Sequence, residues 1–394
     1  MIDTIQILPC SDDEVEGIVW SMVEDKDFIA VLGYVFGESR VEEMVERLRG
    51  CRSVSDLQEG VMREAIENIV EKTMSSFECH GLEQLSHDGR YLFIANHRDI
   101  VLDAFLLQYA LLRERMDTTR IVIGANLMFH RLMVDMAHLN KMLTIERGGG
   151  RREFYDELRR VSEYIRASIG EGNVFDKQEQ WKLAYTAAAR KRLMKWSGSS
   201  VWIAQRNGRT KDGEDKTEEA VVKMLAMSGG DDVVESLASL HIVPVSISYE
   251  IEPCDGLKAR ELVERERCGC YEKSEGEDRR SVLAGIVQPK GRVVLNVCRP
   301  LERRELEDAC GEGLASYYRN VAAIIDGRIT NGYELMKTNE EAYRLLCGES
   351  VDDEFFLRHI EEQCKLGDDR EAMRERLLSM YAAPYRKKLA LNTL

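Results

Sequence analysis

The chain reads as an α/β protein with a mainly parallel sheet flanked by helices, bracketed by helical N-terminal and C-terminal regions. Two observations predict this. Between about residues 81 and 300, short apolar runs alternate with amphipathic helical runs, the pattern of strand and helix units that build a parallel sheet. Outside that stretch, apolar residues recur at three- and four-residue spacing, the period of a helix face. The 394 residues therefore divide into a helical N-terminal region 1–80, an α/β domain 81–300 and a helical C-terminal region 301–394.

In chain order, VEGIVWSMVEDKDFIAVLGYVF and VEEMVERLRG carry the helical period of the first region, and Ser53 and Asp56 are candidate caps for the helix that follows. Six strand-like runs come next: YLFIAN, RIVIGAN, KMLTIER, SSVWIAQ, IVPVSISYE and GRVVLNV. Amphipathic segments such as REFYDELRRVSEYIRASI separate them. The last region returns to helical spacing in SYYRNVAAIIDGRI, NEEAYRLLC and REAMRERLLSMYAAPYRKKLA. No internal repeat or low-complexity segment interrupts this order.

A composition that is 44% hydrophobic and 32% charged is that of a globular chain, and a net charge of -15 argues against general nucleic-acid binding, which needs clustered cations. The first residues have no basic and apolar leader pattern, and no window holds the ~18 apolar residues of a membrane span. A cytoplasmic protein, peripheral on the inner face of a membrane, is expected. The ten cysteines are scattered and should be reduced thiols. Cys254, Cys268 and Cys270 lack a fourth ligand at zinc-like spacing, so no metal is expected.

In a parallel sheet, functional groups gather at the carboxyl ends of strands. Asn96-His97-Arg98-Asp99 ends the first apolar run, Asn126 the second, Glu146-Arg147 the third and Gln205-Arg206 the fourth. A neutral His97 can take a proton from a hydroxyl if a carboxylate fixes its tautomer, and Asp99 and Asp103 are both candidates. The loop Arg206-Asn207-Gly208-Arg209-Thr210-Lys211 offers guanidinium forks and a lysine to an anion. Arg147 precedes three glycines at a predicted helix start, another site that favours anions.

The succession Asn96-His97 with a following Asp, IGANL, LTIERG, RNGRTKDG and IVPVSISYE resembles the glycerolipid acyltransferases, nearest the glycerol-3-phosphate and dihydroxyacetone-phosphate branch. The resemblance covers about residues 91–300. It implies an acyl transfer in phospholipid biosynthesis, from acyl-CoA or acyl-carrier protein as co-substrate to the hydroxyl of a glycerol phosphate-type acceptor, with no cofactor. His97 resembles that family's general base and Asp103, or alternatively Asp99, its orienting acid. Arg147, Arg209 and Lys211 resemble that family's phosphate-binding positions, Arg206 adds a further charge expected to bind the phosphate, and Asn96, Arg98, Asn126, Asn207 and Gly208 are expected around the substrate. Lysophosphatidate acylation, or a catalytically silent lipid-binding homologue, are the alternatives.

Two departures from the family pattern stand out. The family spaces its histidine and aspartate by four residues, whereas here the gap is five and Leu102 occupies the usual acid position. Arg206-Asn207 stands where the family usually has Glu-Gly. Separately, the stretch from Gln180 to Trp196 combines tryptophans with Lys182, Arg190, Lys191, Arg192 and Lys195 and no acid after Gln180, a composition suited to an anionic membrane surface or to a helix packed on its own domain.

Overall fold

The computed structural model describes residues 8–146, 150–170, 198–311 and 313–392. Its strands are β1 (Met74–His80), β2 (Leu92–Ala95), β3 (Arg120–Gly124), β4 (Met142–Ile145), β5 (Val201–Ala204), β6 (Ile242–Tyr249) and β7 (Gly291–Val297). They form one sheet in the order β1-β7-β6-β2-β5-β3-β4. Strands β2 to β6 are mutually parallel, β7 is antiparallel to β6, and β1 is parallel to β7. The mainly parallel sheet and its flanking helices are thus present as expected.

All six apolar runs are strands. The seventh, β1, has the sequence MSSFECH, with no contiguous apolar run because it forms the half-exposed sheet edge. The sheet therefore begins ahead of residue 81.

Alternation along the strands sends residues to opposite faces. Leu92, Ile94, Val201 and Ile203 pack with Val161 and Ile165 of the helix Arg151–Ile169 and with Tyr317, Val321 and Ile325 of the helix Leu314–Gly332. Phe93, Trp202, Val243 and Ile247 pack with Leu102, Leu106 and Tyr109 of the helix Leu102–Arg113. Burial on both faces is why the central strands read as unbroken apolar runs.

Before the sheet come α1 (Asp12–Val23), α2 (Lys26–Phe36), α3 (Val41–Gly50), α4 (Val54–Leu57) and α5 (Arg63–Thr73). Val15, Val19, Met22, Phe28, Leu32, Met44 and Leu48 give them a core of their own. Ser53 caps α4: its hydroxyl accepts from the Asp56 amide at 3.0 Å while the Asp56 carboxylate accepts from the Ser53 amide at 2.9 Å. At the other end, the helices Lys337–Leu346, Glu354–Cys364 and Arg370–Asn392 bury Ala342, Phe356, Ile360, Leu377 and Tyr381 against Ala259. Among the described residues, no helix is long and apolar enough to cross a membrane. Nor does any group of three or more His, Cys, Asp or Glu there stand where it could hold a metal ion.

Candidate active site

Strand β2 ends at Ala95, and the next residues carry the chain over the sheet rim before the helix α6 (Leu102–Arg113) begins. Asp103, in the first turn of α6, is buried and organises that crossing. Its Oδ2 accepts from the amides of Arg98 at 2.6 Å and Asp99 at 2.9 Å, and lies 2.9 Å from His97 Nδ1. With the Nδ1 proton directed at Asp103, Nε2 is the nitrogen left to accept a proton. The ring meets Trp202 edge-on, with centroids 5.8 Å apart.

Of the two acids, geometry pairs Asp103 with the imidazole despite the extra residue between them. Asp99 turns away: its Oδ1 accepts from the amides of Val101 and Leu102, both at 2.8 Å, and so caps α6.

Strand β5 delivers the second cluster. The loop that follows it is joined to the first by the Thr210 amide, which donates to the His97 carbonyl at 2.7 Å. Asp215 ties the two together from beneath, accepting from Asn96 Nδ2 at 2.9 Å, Arg98 Nη2 at 2.6 Å and the Thr210 hydroxyl at 3.0 Å. Arg98 also reaches Glu252 at 3.0 Å, and Lys258 donates to both Glu252 and the Arg98 carbonyl.

These bonds correct two expectations. Asn96 and Arg98 are wholly buried and do not line a substrate space; they brace the loops that do. Burial alone would lower the Arg98 pKa, but the Asp215 and Glu252 carboxylates overcome it and hold the guanidinium well above its ordinary value.

The rim opens onto one cavity of about 1000 Å³, the upper end of the ~300–1,000 Å³ usual for small-molecule sites. His97, Asn126, Arg206, Asn207, Gly208, Arg209 and Lys211 line one side. Val101 just before α6, Leu102 and Phe105 of α6, and apolar residues of α2 and α5, among them Val31, Val35, Ile66 and Ile69, line much of the rest.

Arg206 Nε and Arg209 Nη1 are buried there without a hydrogen-bond partner among the described residues. A buried unpaired donor costs roughly 1–3 kcal/mol until it gains a partner. Lys211, expected beside them, is instead paired with Glu261, and burial pushes its pKa down. Arg147 and the stretch from Gln180 to Trp196 lie outside the described residues.

Sequence reading missed the residues that hold the site from behind: Asp215, Glu252 and Lys258 carry no motif of their own, and the cavity walls contributed by α2 and α5 come from a region remote in sequence. It also missed Tyr249, although IVPVSISYE had been singled out.

No curated protein matches the chain. Among solved structures, the chain is similar to the crystal structure of the 1-acyl-sn-glycerophosphate (LPA) acyltransferase PlsC from Thermotoga maritima, at 13% identity and a TM-score of 0.38, with 79% of this chain and 94% of that one covered. The acyltransferase family model matches residues 76–248, a stretch that takes in His97, Asp103, Arg206 and Arg209. Over these residues the chain is similar to the acyltransferase family.

Proposed function

We propose that the protein moves a fatty acyl group from acyl-CoA or acyl-carrier protein to the hydroxyl of a glycerol phosphate-type acceptor, as a step of phospholipid biosynthesis. One observation carries the proposal: an imidazole held by a buried carboxylate and two arginines with unpaired buried nitrogens face the same largely apolar cavity. The arginines suit the acceptor's phosphate, and the apolar wall of α2, α5 and α6 suits an acyl chain.

In this reading His97 Nε2 takes the acceptor's hydroxyl proton as the oxygen attacks the thioester carbonyl. The new C–O bond replaces the C–S bond, and the departing sulfur receives the proton from His97, so no acyl group rests on the enzyme. Asp103, through its hydrogen bond to Nδ1, steadies the imidazolium formed between the two transfers. No cofactor takes part. The intact pairing of His97 with Asp103 favours turnover over a catalytically silent lipid binder.

Glycerol 3-phosphate and dihydroxyacetone phosphate are the first acceptors to try. Lysophosphatidate is the second reading, favoured by the extent of the apolar wall. The test is thiol release from palmitoyl-CoA and from palmitoyl-acyl-carrier protein with each acceptor, and mass identification of the lipid formed. Release with a phosphorylated acceptor but not with plain glycerol is expected; no release with any pairing would sink the proposal. The enzyme is further proposed to work from the inner face of a membrane through the basic stretch Gln180 to Trp196. Sedimentation with anionic vesicles at low salt should be lost when Arg190, Lys191, Arg192 and Lys195 become glutamine, and binding that survives would refute it.

A further inference from the structure

Beneath the pair of His97 and Asp103 sits a third group. Tyr249, the last residue of β6, is wholly buried, and its hydroxyl donates to Asp103 Oδ1 at 2.8 Å. The other carboxylate oxygen, Oδ2, is the one that faces His97 and takes the two backbone amides. Tyr249 thus supplies the hydrogen bond to the oxygen that the loop cannot reach. We propose that Tyr249 is a positioning residue for acyl transfer, fixing the rotation of the Asp103 carboxylate so that Oδ2 is presented to His97 Nδ1. This rests on the reading of His97 as the base.

The position of the acid gives the tyrosine its purpose. A helix turns about 100° per residue, so an acid moved from position 102 to 103 leaves α6 in a different direction. Leu102 points into the apolar core, and Asp103 projects beneath the rim toward the end of β6. Strand β6 is the direct neighbour of β2, which delivers His97, and the sheet therefore sets the tyrosine and the histidine on either side of the displaced carboxylate.

The hydroxyl is a lasting donor. Burial first, then the carboxylates of Asp103, Asp99 and Glu252, hold the phenol well above its ordinary pKa, so it keeps its proton throughout the working range. Arg98, Lys258, which is bound to Glu252, and Lys290, whose pKa burial lowers to about 8 against the pull of Asp99, are cations of this neighbourhood.

The experiment compares Tyr249→Phe, Asp103→Asn and the double variant with wild type, and uses His97→Ala to check the underlying reading. Tyr249→Phe keeps the ring that fills the space and deletes one bond to a charged group. It should lower kcat about tenfold with little change in either KM, as expected for loss of a charge-assisted bond. The acid limb of the kcat/KM profile should also move to higher pH, because Asp103 without its donor draws a proton more strongly onto His97. In the Asp103→Asn background the same substitution should cost almost nothing, since the two act through one another. Full activity of Tyr249→Phe beside an inactive His97→Ala would overturn the positioning role alone. So would additive losses, or a lower kcat with an unmoved pH limb. Full activity of folded His97→Ala would instead overturn the reading beneath it.

Discussion

Asp103 and Asp99 show how far a residue's role can be read before its surroundings are known. The family pattern placed the acid at a position held by Leu102, and spacing alone left both aspartates open. The backbone decides between them, because a residue three places before the first helical one has that helix's amides to cap and one inside the first turn can fold back on the loop. Asp103→Asn should therefore reduce kcat with the fold retained. Asp99→Asn should lower stability by roughly 1 kcal/mol, the usual worth of a cap, with smaller loss of turnover; urea unfolding and kcat measured on both variants would show it. Arg209→Ala should raise the acceptor's KM tenfold or more and leave the donor's nearly unchanged, as the loss of a bond to a charged group worth roughly 1.5–3 kcal/mol requires. Equal effects on both KM values would move the donor's phosphates to this loop.

At the level of elements, the central strands were legible because both their faces are covered, and β1 was not because it is half-exposed and carries no contiguous apolar run. The loop after β5 was legible as a cationic turn; its anchoring was not, since the partners come from far along the chain. Gly213 marks the clearest case. It has φ of +78°, and a Cβ there would lie 2.2 Å from the Met380 carbonyl oxygen in the C-terminal helix. Gly213→Ala should cost more than about 1 kcal/mol in unfolding free energy and raise the acceptor's KM, because the loop bearing Arg206 and Arg209 must move. An unchanged melting temperature and KM would show that the contact between loop and helix is dispensable.

Across the whole molecule, the C-terminal helices and the site share one buried ionic network. Arg98 joins Asp215 and Glu252, its guanidinium lies 5.5 Å from the Tyr333 ring centroid, and the Tyr381 hydroxyl accepts from the Glu252 amide at 3.0 Å. Sequence alone could not assemble it, because its members lie in five separate stretches that only the fold brings together. Burial would raise the Asp215 carboxyl, but Arg98 and then Asn96 outweigh it and hold the group below its ordinary value. A carboxyl with a depressed folded pKa contributes stability that is complete above its unfolded pKa, ~3.9, and is lost as pH falls through the lower folded one. Acid unfolding should thus begin below about pH 4. Arg98→Met should destabilise by about 3–5 kcal/mol at neutral pH, since the buried Asp215 carboxylate loses its guanidinium and Glu252 keeps only Lys258. Denaturant titrations of both proteins across the acid range would check the two statements together.

The central claim is that His97 is the base of an acyl transfer to a phosphorylated hydroxyl acceptor. The most direct measurement is steady-state thiol release from the palmitoyl thioester by wild type and by folded His97→Ala at saturating acceptor. A drop of about 10²–10⁴-fold in kcat is expected, the usual worth of general base catalysis, with the circular dichroism spectrum and melting temperature unchanged. A folded variant that turns over at the wild-type rate would contradict it.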